Sequence, residues 1–322
     1  MSLHKFTIAA IAIFGVLIVA WLSFWFYSSN KFVAVLNQFL SQQDSQLQFS
    51  YSDITKSGFP NRTDVTIHDL IVSTIDGTFV WNAGDLAIHK LVYDFKNYIL
   101  VFPSTQSFNY KGLEHTLESD RIRTSISFSS ETGLYINQLI TEFGKTNWGT
   151  SDSWSHQAQS GIIALQQSSS EQYNYQFHQE FKSVTSQGTP NIPLSLGYIL
   201  PLLKIDAELA LHRPYDQSEC AQIQAINLNT MEFRSEGFSV SFPGLIEADQ
   251  LGYPVGNTSL KVSGDLDAFE DYLGAFGLSA FVSKAIIQLA NFDLLQIDFS
   301  GQKIRIAKLF EVDSVSIPAL CW

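Results

Sequence analysis

The N-terminal segment constrains this chain more than any other feature. From Phe6 to Tyr27, the run FTIAAIAIFGVLIVAWLSFWFY contains no charged side chain. A helix of this length rises about 33 Å, enough to cross a hydrocarbon core of roughly 30 Å. Trp21, Trp25 and Tyr27 gather at one end, as aromatic residues do at a membrane interface. The sequence predicts a retained single-pass anchor at residues 6–27; a signal peptide or a buried core helix is the alternative.

The composition of the remaining chain favours packed sheet. Charged residues make up 16% of the 322 residues and aromatic residues 13%, including 25 Phe, so disorder is excluded. The net charge of -12 repels phosphate backbones, and nucleic-acid binding is therefore not expected. Cys220 and Cys321 could form a disulfide in an oxidising compartment, closing a loop of about 100 residues. The alternative is two unpaired structural thiols.

The apolar pattern changes period after the anchor. Phe32, Leu36 and Leu40 recur at helical spacing, so the helix is expected to continue as a stalk that ends near Ser41–Asp44. Strand-like alternation follows. Val65 and Ile67 have one parity whereas Leu70 and Val72 have the other, which predicts a β-bulge near His68–Leu70. A similar shift predicts a second bulge near His89–Lys90, and repeated bulges bend a sheet.

Further patterns complete the predicted architecture. Asp76-Gly77 and Ser300-Gly301 are typical hairpin turns. Leu134–Gly144 is predicted to be a helix with Gly144 as its C-cap. Asp265 and Asp267 are interpreted as helix caps, with Asp267 and Glu270 as a capping box. The fold class is β-rich α+β, in which a transmembrane helix precedes a long curved antiparallel sheet with a few packing helices.

The predicted organisation has four parts. Residues 1–30 form the membrane anchor, and residues 31–145 form the stalk and an N-terminal β-rich lobe. Residues 146–193 are rich in Ser and Gln and are expected to be loops around one strand. Residues 194–322 form a C-terminal β-rich lobe with helices near residues 266–290.

The stretch SGFPNR predicts a structural corner before a long strand. Gly58 can adopt backbone angles that other residues avoid, and Pro60 cannot donate a hydrogen bond to a sheet. We expect Phe59 to be buried there, and Arg62 to bond carbonyl groups or a carboxylate. The motif residues of this stretch and of the strands that follow are Ser57, Gly58, Phe59, Pro60, Arg62, Trp81, Tyr93 and Pro103.

This ordered set resembles a bacterial envelope family known as domain of unknown function 2125. That family has a GFP-plus-Arg element, a Trp-led strand, a Tyr and an apolar segment ending in Pro. The closing segment from Ile297 to Leu320 is similar to the closing hairpin of the family, whereas Asn61 stands where the family often has an aromatic residue. The resemblance implies an inner-membrane anchor with the bulk of the chain in the periplasm. A looser likeness to AsmA-type envelope proteins is one of fold only.

No catalytic constellation is found in the sequence. G-x-S-x-G, P-loop, G-x-G-x-x-G and H-E-x-x-H motifs are absent. His68 and His89 could meet on neighbouring strands as a metal or acid–base pair, but two surface histidines are the simpler interpretation. No enzyme activity, metal or cofactor is therefore expected. The hypotheses are lipid or other apolar-ligand binding on the curved sheet, or assembly with envelope proteins; a hydrolase is the third.

Overall fold

The computed structural model of the chain describes residues 3–41, 47–129, 135–150, 155–168, 174–187, 198–211, 223–235, 237–249, 251–275, 280–291, 295–301, 303–306 and 310–313. It begins with one helix, α1 (Leu3–Ser41). Residues 7–20 of this helix are exposed, whereas Trp25, Ser28 and Ser29 are buried against the following domain. The predicted anchor and stalk are therefore two parts of one continuous helix, long and apolar enough to span a membrane.

The rest of the described chain is mostly antiparallel sheet. The first half of the chain contains β1 (Leu47–Ser50), β2 (Asp53–Ser57), β3 (Arg62–Thr74), β4 (Phe79–Leu91), β5 (Asn97–Phe102), β6 (Thr105–Tyr110), β7 (Leu113–Ser119), β8 (Ile122–Phe128), β9 (Ile136–Phe143), β10 (Thr146–Gly149), β11 (Ser155–Ala158) and β12 (Ser160–Gln167). The second half contains β13 (Asn174–Gln187), β14 (Tyr198–Leu211), β15 (Ile223–Arg234), β16 (Phe238–Ser241), β17 (Gly244–Ala248), β18 (Pro254–Ser259), β19 (Lys261–Gly264), α2 (Leu266–Ala275), α3 (Ala280–Asn291), β20 (Gln296–Ser300), β21 (Lys303–Ile306) and β22 (Phe310–Asp313).

The sheet is an up-and-down meander of long strands. Several consecutive strands act as two halves of one strand, because both halves pair with the same neighbour. Thus β5 and β6 both pair with β4, and β1 and β2 both pair with β3. The same holds for β11–β12, which both pair with β13, and for β16–β17, which both pair with β15. In β7–β8, β9–β10 and β18–β19, the two halves pair with the two halves of a neighbouring divided strand. The connections are therefore local, which is the topology that requires the least loop closure.

The interruptions between strand halves lie side by side across the sheet, and we call this line the crease. It crosses eight neighbouring strands at Ser52, Asp69, Gly84, Pro103, Asp120, Gly144, Gln159 and Ser183. Three of these residues have positive φ angles, of 53° at Asp69, 66° at Gly84 and 51° at Ser183. Backbone bonds continue beside the line, as from the Asp120 N–H to the Lys145 carbonyl at 3.1 Å. Aligned irregularities of this kind bend a sheet along one line.

The bulge predicted near His68–Leu70 is confirmed, because the pairing of β3 with β4 shifts between Ile67 and Leu70. The bulge predicted near His89–Lys90 is wrong. Pairing continues without a shift to Leu91, where the strand ends and the chain leaves the sheet. The irregular residue of β4 is instead Gly84, opposite Leu70, so the bend lies earlier in the strand than the apolar spacing indicated.

Two further predictions are corrected. The helix predicted at Leu134–Gly144 is strand β9, paired with β8 on one side and β12 on the other. Pairing on both sides outweighs the helical spacing of its apolar residues. The Ser- and Gln-rich stretch 146–193 contains four strands, β10 to β13, rather than one. The boundary expected at residue 145 falls inside the continuous β9–β10 strand.

Three apolar clusters lie along the sheet. The C-terminal half of α1 packs Phe32, Leu36 and Leu40 on β3, β4 and β5. The helices α2 and α3, predicted near residues 266–290, cover β16 and β19. The third cluster lies between them, on β9 and β12 to β15. Asp265 accepts hydrogen bonds from the backbone N–H groups of Asp267 and Ala268, so Asp265 is the N-cap of α2 and the predicted Asp267–Glu270 capping box is not formed.

Both predicted hairpins are present. Asp76 and Gly77 lie in the turn between β3 and β4, where Gly77 has a φ of 69°. Strands β20 and β21 pair Ile297 with Ile306 and Phe299 with Ile304.

Candidate ligand-binding cavity

A cavity of about 630 Å³ opens on one face of the sheet, beside the crease. We call it the aromatic cavity, because six of its eleven lining residues are aromatic: Phe79, Phe108, Tyr110, Phe143, Trp148 and Phe181. The others are Leu117, Ile163, His115, Thr146 and Gln179. The volume falls within the range of about 300–1,000 Å³ that is typical of ligand pockets. None of the eleven carries a carboxylate, an ammonium or a guanidinium group.

The crease brings these residues onto one face. In β9 the cavity residue, Phe143, is odd-numbered, whereas in β10 the cavity residues, Thr146 and Trp148, are even-numbered. A residue inserted at the interruption reverses the side to which later side chains point. Without that shift at Gly144, Trp148 would face away from the cavity.

Gly161 shapes the floor of the cavity. It pairs with Phe143 on β9 and with Phe181 on β13. The two rings lean over the glycine, with their centroids 5.6 Å apart. A Cβ atom at Gly161 would overlap the Phe181 ring, so only glycine leaves both rings in this position.

Trp81 forms a wall next to the cavity. Its ring stacks on Phe108, which lines the cavity, with centroids 6.0 Å apart and an interplanar angle of 2°. The ring also lies 6.0 Å from Phe102. The Trp81 indole Nε1–H donates to the Gln106 side-chain oxygen at 3.0 Å. Trp81 is thus oriented by a hydrogen bond and holds the Phe108 ring in place.

One apolar row connects the cavity with the helix-covered clusters. Cross-strand partners follow one another from Phe102 on β5 to Val262 on β19. The row comprises Phe102, Ile122, Phe143, Gly161, Phe181, Leu203, Phe233, Val240 and Val262. Its first member belongs to the cluster under α1, and its last three belong to the cluster under α2 and α3. Within the described residues, no side chain of these three helices lines the cavity, which is built by strands.

Polar side chains are sparse around the aromatic cavity. His156 lies beside the cavity, with its ring 6.4 Å from that of Trp148. Burial lowers the pKa of His156, so its neutral form is favoured at neutral pH. Tyr110 and Trp148 are about half exposed, at 49% and 48%, and form the opening. The arrangement suits an uncharged, elongated ligand held by apolar contact.

The predicted motif residues divide into two groups. Trp81 stands beside the cavity, and Pro103 lies on the crease, 3.4 Å from the position that a Cβ of Gly84 would occupy. The other motif residues lie at the opposite end of the sheet, near the last turns of the apolar part of α1. Ser57 ends β2, Gly58 to Pro60 form the turn, Arg62 begins β3, and Tyr93 follows β4.

The turn before β3 is the predicted corner, since Gly58 has a φ of 96°. Its would-be Cβ lies 2.9 Å from the Arg62 carbonyl oxygen, so a side chain there would be strained. Phe59, however, is 54% exposed and not buried as predicted. Its ring packs edge-on against Trp25 of α1, at 5.5 Å. The corner therefore meets the helix instead of closing over a core.

Arg62 binds a carboxylate, which was one of the two expected partners. Its Nη2–H group donates to Asp64 Oδ2 at 2.6 Å, and His89 Nδ1 lies 2.7 Å from Asp64 Oδ1. The Asp64 side chain is only 10% exposed, and its two oxygens are satisfied by the Arg62 guanidinium and by the His89 ring. This cluster fixes the start of β3 against β4.

The proposed pair of His68 and His89 is not formed. His68 Nδ1 bonds Asp85 at 3.0 Å, while His89 bonds Asp64. No group of three or more His, Cys, Asp or Glu suited to a metal occurs among the described residues. Cys220 and Cys321, the candidate disulfide, lie outside the described residues.

The cavity residues were not predicted from the sequence, because they are scattered over seven strands, β4, β6, β7, β9, β10, β12 and β13. One signal could have indicated them. Within successive strands, the alternation of apolar residues shifts by one position, as in β4, where it changes from the odd-numbered Trp81 and Ala83 to the even-numbered Leu86 and Ile88. Such shifts at regular intervals mark a crease, and the aromatic residues concentrate beside it.

Comparison with known proteins supports the resemblance found in the motif residues. The family model described as "Uncharacterized protein conserved in bacteria (DUF2125)" matches residues 25–289. This match begins at Trp25, at the junction between α1 and the sheet, and ends before the β20–β21 hairpin. No curated protein and no solved structure shows significant similarity to the chain. Because the match covers most of its length, the chain belongs to the bacterial DUF2125 family.

Proposed function

We propose that this protein is a membrane-anchored envelope protein that holds the acyl chain of a lipid in the aromatic cavity, without catalysing a reaction. The observation that carries the proposal is the cavity itself, about 630 Å³ in volume and lined by six aromatic side chains and no charged residue. On this proposal, α1 crosses the inner membrane and the β-rich body lies in the periplasm, as the family resemblance implies. The apolar first half of α1 supports the anchoring.

The free energy that micromolar binding requires corresponds to the burial of one long acyl chain. Micromolar binding requires about 8 kcal/mol, and association costs at least about 4 kcal/mol more. Burial of one methylene group contributes about 0.8 kcal/mol, so about 15 methylene groups are needed. That number corresponds to a single fatty acyl chain. A shorter apolar molecule would bind more weakly at the same site.

The apolar row gives such a chain a path along the sheet. It leads from the cavity through Phe143 and Phe181 toward Leu203. These side chains are only partly buried, so the face retains apolar surface for a ligand. The acidic remainder of the body, with its net negative charge, disfavours adhesion of the whole surface to anionic headgroups.

The experiment uses the full-length protein in its native membrane with a phosphatidylcholine that carries a photoreactive acyl chain. We expect the wild-type protein to be labelled in the peptides that carry the cavity residues on β6 to β13, which are separate from the loops next to α1. Trp148→Glu places a carboxylate at the opening of the cavity and should abolish this labelling without unfolding the protein, because Trp148 is half exposed. Leu251→Glu is the matched control, since Leu251 is 73% exposed in a turn away from the cavity.

A folded wild-type body that takes up no label would refute lipid binding. Equal labelling of wild type and Trp148→Glu would show that lipid binds elsewhere on the body. In either case, assembly with another envelope protein becomes the better hypothesis.

A further inference from the structure

Two loops of the sheet are fastened to α1 at the level of its aromatic residues. The Trp21 Nε1–H donates to the Pro60 carbonyl at 3.1 Å, and the Trp25 Nε1–H donates to the Arg62 carbonyl at 2.8 Å. Ser28 Oγ–H donates to the Val92 carbonyl at 3.1 Å. The first loop, residues 58–62, joins β2 to β3, and the second, residues 92–96, follows β4. We call these two loops the base of the body.

The position of the base along α1 fixes its depth relative to a membrane. A charge-free helix that enters the hydrocarbon at Phe6 reaches the opposite boundary after about 20 residues. That boundary lies near Phe26, between the helix residues that bind the two loops. Because the loops are bonded to the helix there, they cannot stand away from the membrane surface.

The base presents exposed aromatic side chains at this level. Phe59, Tyr93 and Phe95 are 54%, 59% and 57% exposed. All three residues lie within the two loops or at their ends. Large exposed aromatic groups clustered on one edge mark an interaction surface. Tyr favours the membrane interface because its ring is apolar and its hydroxyl is polar. Phe is among the residues that interfacial segments bury at the boundary between headgroups and acyl chains.

Exposed lysines lie near these rings, in contrast to the acidic body. Lys56 Nζ lies 5.7 Å from the centroid of the Trp25 ring, and Lys31 on α1 and Lys96 in the second loop are also exposed. Lys90, whose Nζ lies 4.5 Å from the centroid of the Phe95 ring, is itself buried and packs inside the base. Aromatic rings with flanking lysines are typical of segments that lie at the headgroup level, where the ammonium groups reach the phosphates.

From these contacts we propose that the base of the body is seated in the headgroup region of the membrane that α1 crosses, with Phe59, Tyr93 and Phe95 inserted at its surface. The body is then held at a fixed distance and orientation, so that the crease and the aromatic cavity stand at a set height above the bilayer. This inference rests on the anchoring that forms part of the proposed function, and it does not depend on what the cavity binds.

The test measures lipid contact at single labelled positions in the full-length protein. Cys220 and Cys321 are replaced by Ser, and one cysteine carrying a fluorophore is introduced at Tyr93, at Leu113 or at Val16. Leu113 is 63% exposed at the opposite end of the sheet, and Val16 lies in the apolar part of α1. The protein is reconstituted in vesicles of phosphatidylcholine and phosphatidylglycerol that contain a lipid with a nitroxide near its headgroup, which reports on positions 93 and 113. In a parallel series the nitroxide is at the end of an acyl chain, which reports on position 16 near the bilayer midplane.

We expect at least a threefold stronger quenching by the nitroxide lipid at position 93 than at position 113. Quenching at 16 but not at 93 would overturn the seating while leaving the anchoring intact. If neither the nitroxide lipid nor aqueous iodide quenches the fluorophore at position 93, a protein surface covers the base. That result would also overturn the proposal. If the nitroxide lipids do not quench the fluorophore at position 16, α1 is not in the membrane. That result would refute the anchoring itself, together with this inference.

Discussion

The structure makes α1 part of the folded body, and a buried hydroxyl pair tests this directly. Ser29 of α1 and Thr63 of β3 are both fully buried, at 0% exposure, and their hydroxyl oxygens are 2.8 Å apart. Replacing one partner leaves the other hydroxyl buried without its hydrogen bond, at a cost of about 1–3 kcal/mol. We therefore expect Ser29→Ala and Thr63→Val each to lower the free energy of unfolding by that amount.

The double variant gives the sharper result. When both hydroxyls are removed, no buried polar group is left unsatisfied, so the double variant should lose less than the sum of the two single variants. The difference should be about 1 kcal/mol or more, the coupling expected of a contacting pair. The measurement is urea unfolding of the full-length protein in detergent micelles, followed by tryptophan fluorescence.

Ser41→Ala is the matched control, because its hydroxyl is exposed and bonds only the Gln38 carbonyl of the same helix. It should change the free energy by less than about 0.5 kcal/mol. If the single variants at 29 and 63 behave like this control, α1 does not pack on the sheet as described. Strict additivity in the double variant would show that the two hydroxyls do not interact.

Three more predictions follow from single sites. Gly84→Val should destabilise the protein by about 1–3 kcal/mol in thermal or urea unfolding, because Gly84 has a φ of 66° and a Cβ there would lie 3.4 Å from Pro103 Cγ. Burial lowers the pKa of Lys90 below its ordinary 10.5. The wild type should therefore gain stability relative to Lys90→Met as the pH rises through the folded-state pKa toward 10.5, and Lys90→Met should be the more stable protein below that pH range. Parallel pH profiles of the two proteins would contradict this. The hydrogen bond from Asn97 lowers the pKa of Asp94 below its ordinary 3.8. The wild type should therefore lose stability relative to Asp94→Asn as the pH falls below about 3.8, whereas near neutral pH the difference in stability between the two proteins should not change with pH.

Sequence patterns predicted the elements whose signals are local. The charge-free run identified the long apolar helix α1, and the alternation of apolar residues identified the bulge of β3 near Asp69. The helix expected at Leu134–Gly144 was wrong because Ile136, Leu139, Ile140 and Phe143 suit both a helix and a half-buried strand. Only the neighbours β8 and β12 decide between the two.

Three strands of the Ser- and Gln-rich stretch, β10 to β12, were missed for a related reason, whereas the one strand expected there corresponds to β13. The segments β10 and β11 have only four residues each and are mostly polar, and β12 ends in two Gln residues, so their composition resembles that of loops. Their backbone groups are satisfied by strands on both sides, which no local pattern reveals.

The cavity could not be predicted, because its lining depends on register. Phe143 and Phe181 are far apart in the sequence and meet only because both pair with Gly161. The exposed position of Phe59 was missed because its partner, Trp25, lies in the segment assigned to the membrane. Both errors concern contacts between elements that sequence analysis treats separately.

Native mass spectrometry of the full-length protein, released from its own membrane, measures whether the aromatic cavity holds a lipid. In Gly161→Val the new side chain pushes the Phe181 ring into the cavity, whereas the extended backbone of β12 tolerates valine. The account predicts that wild type retains one lipid per chain and that the Gly161→Val variant, still folded, loses it. Equal lipid retention by both proteins, or a stoichiometric protein partner in place of lipid, would contradict it.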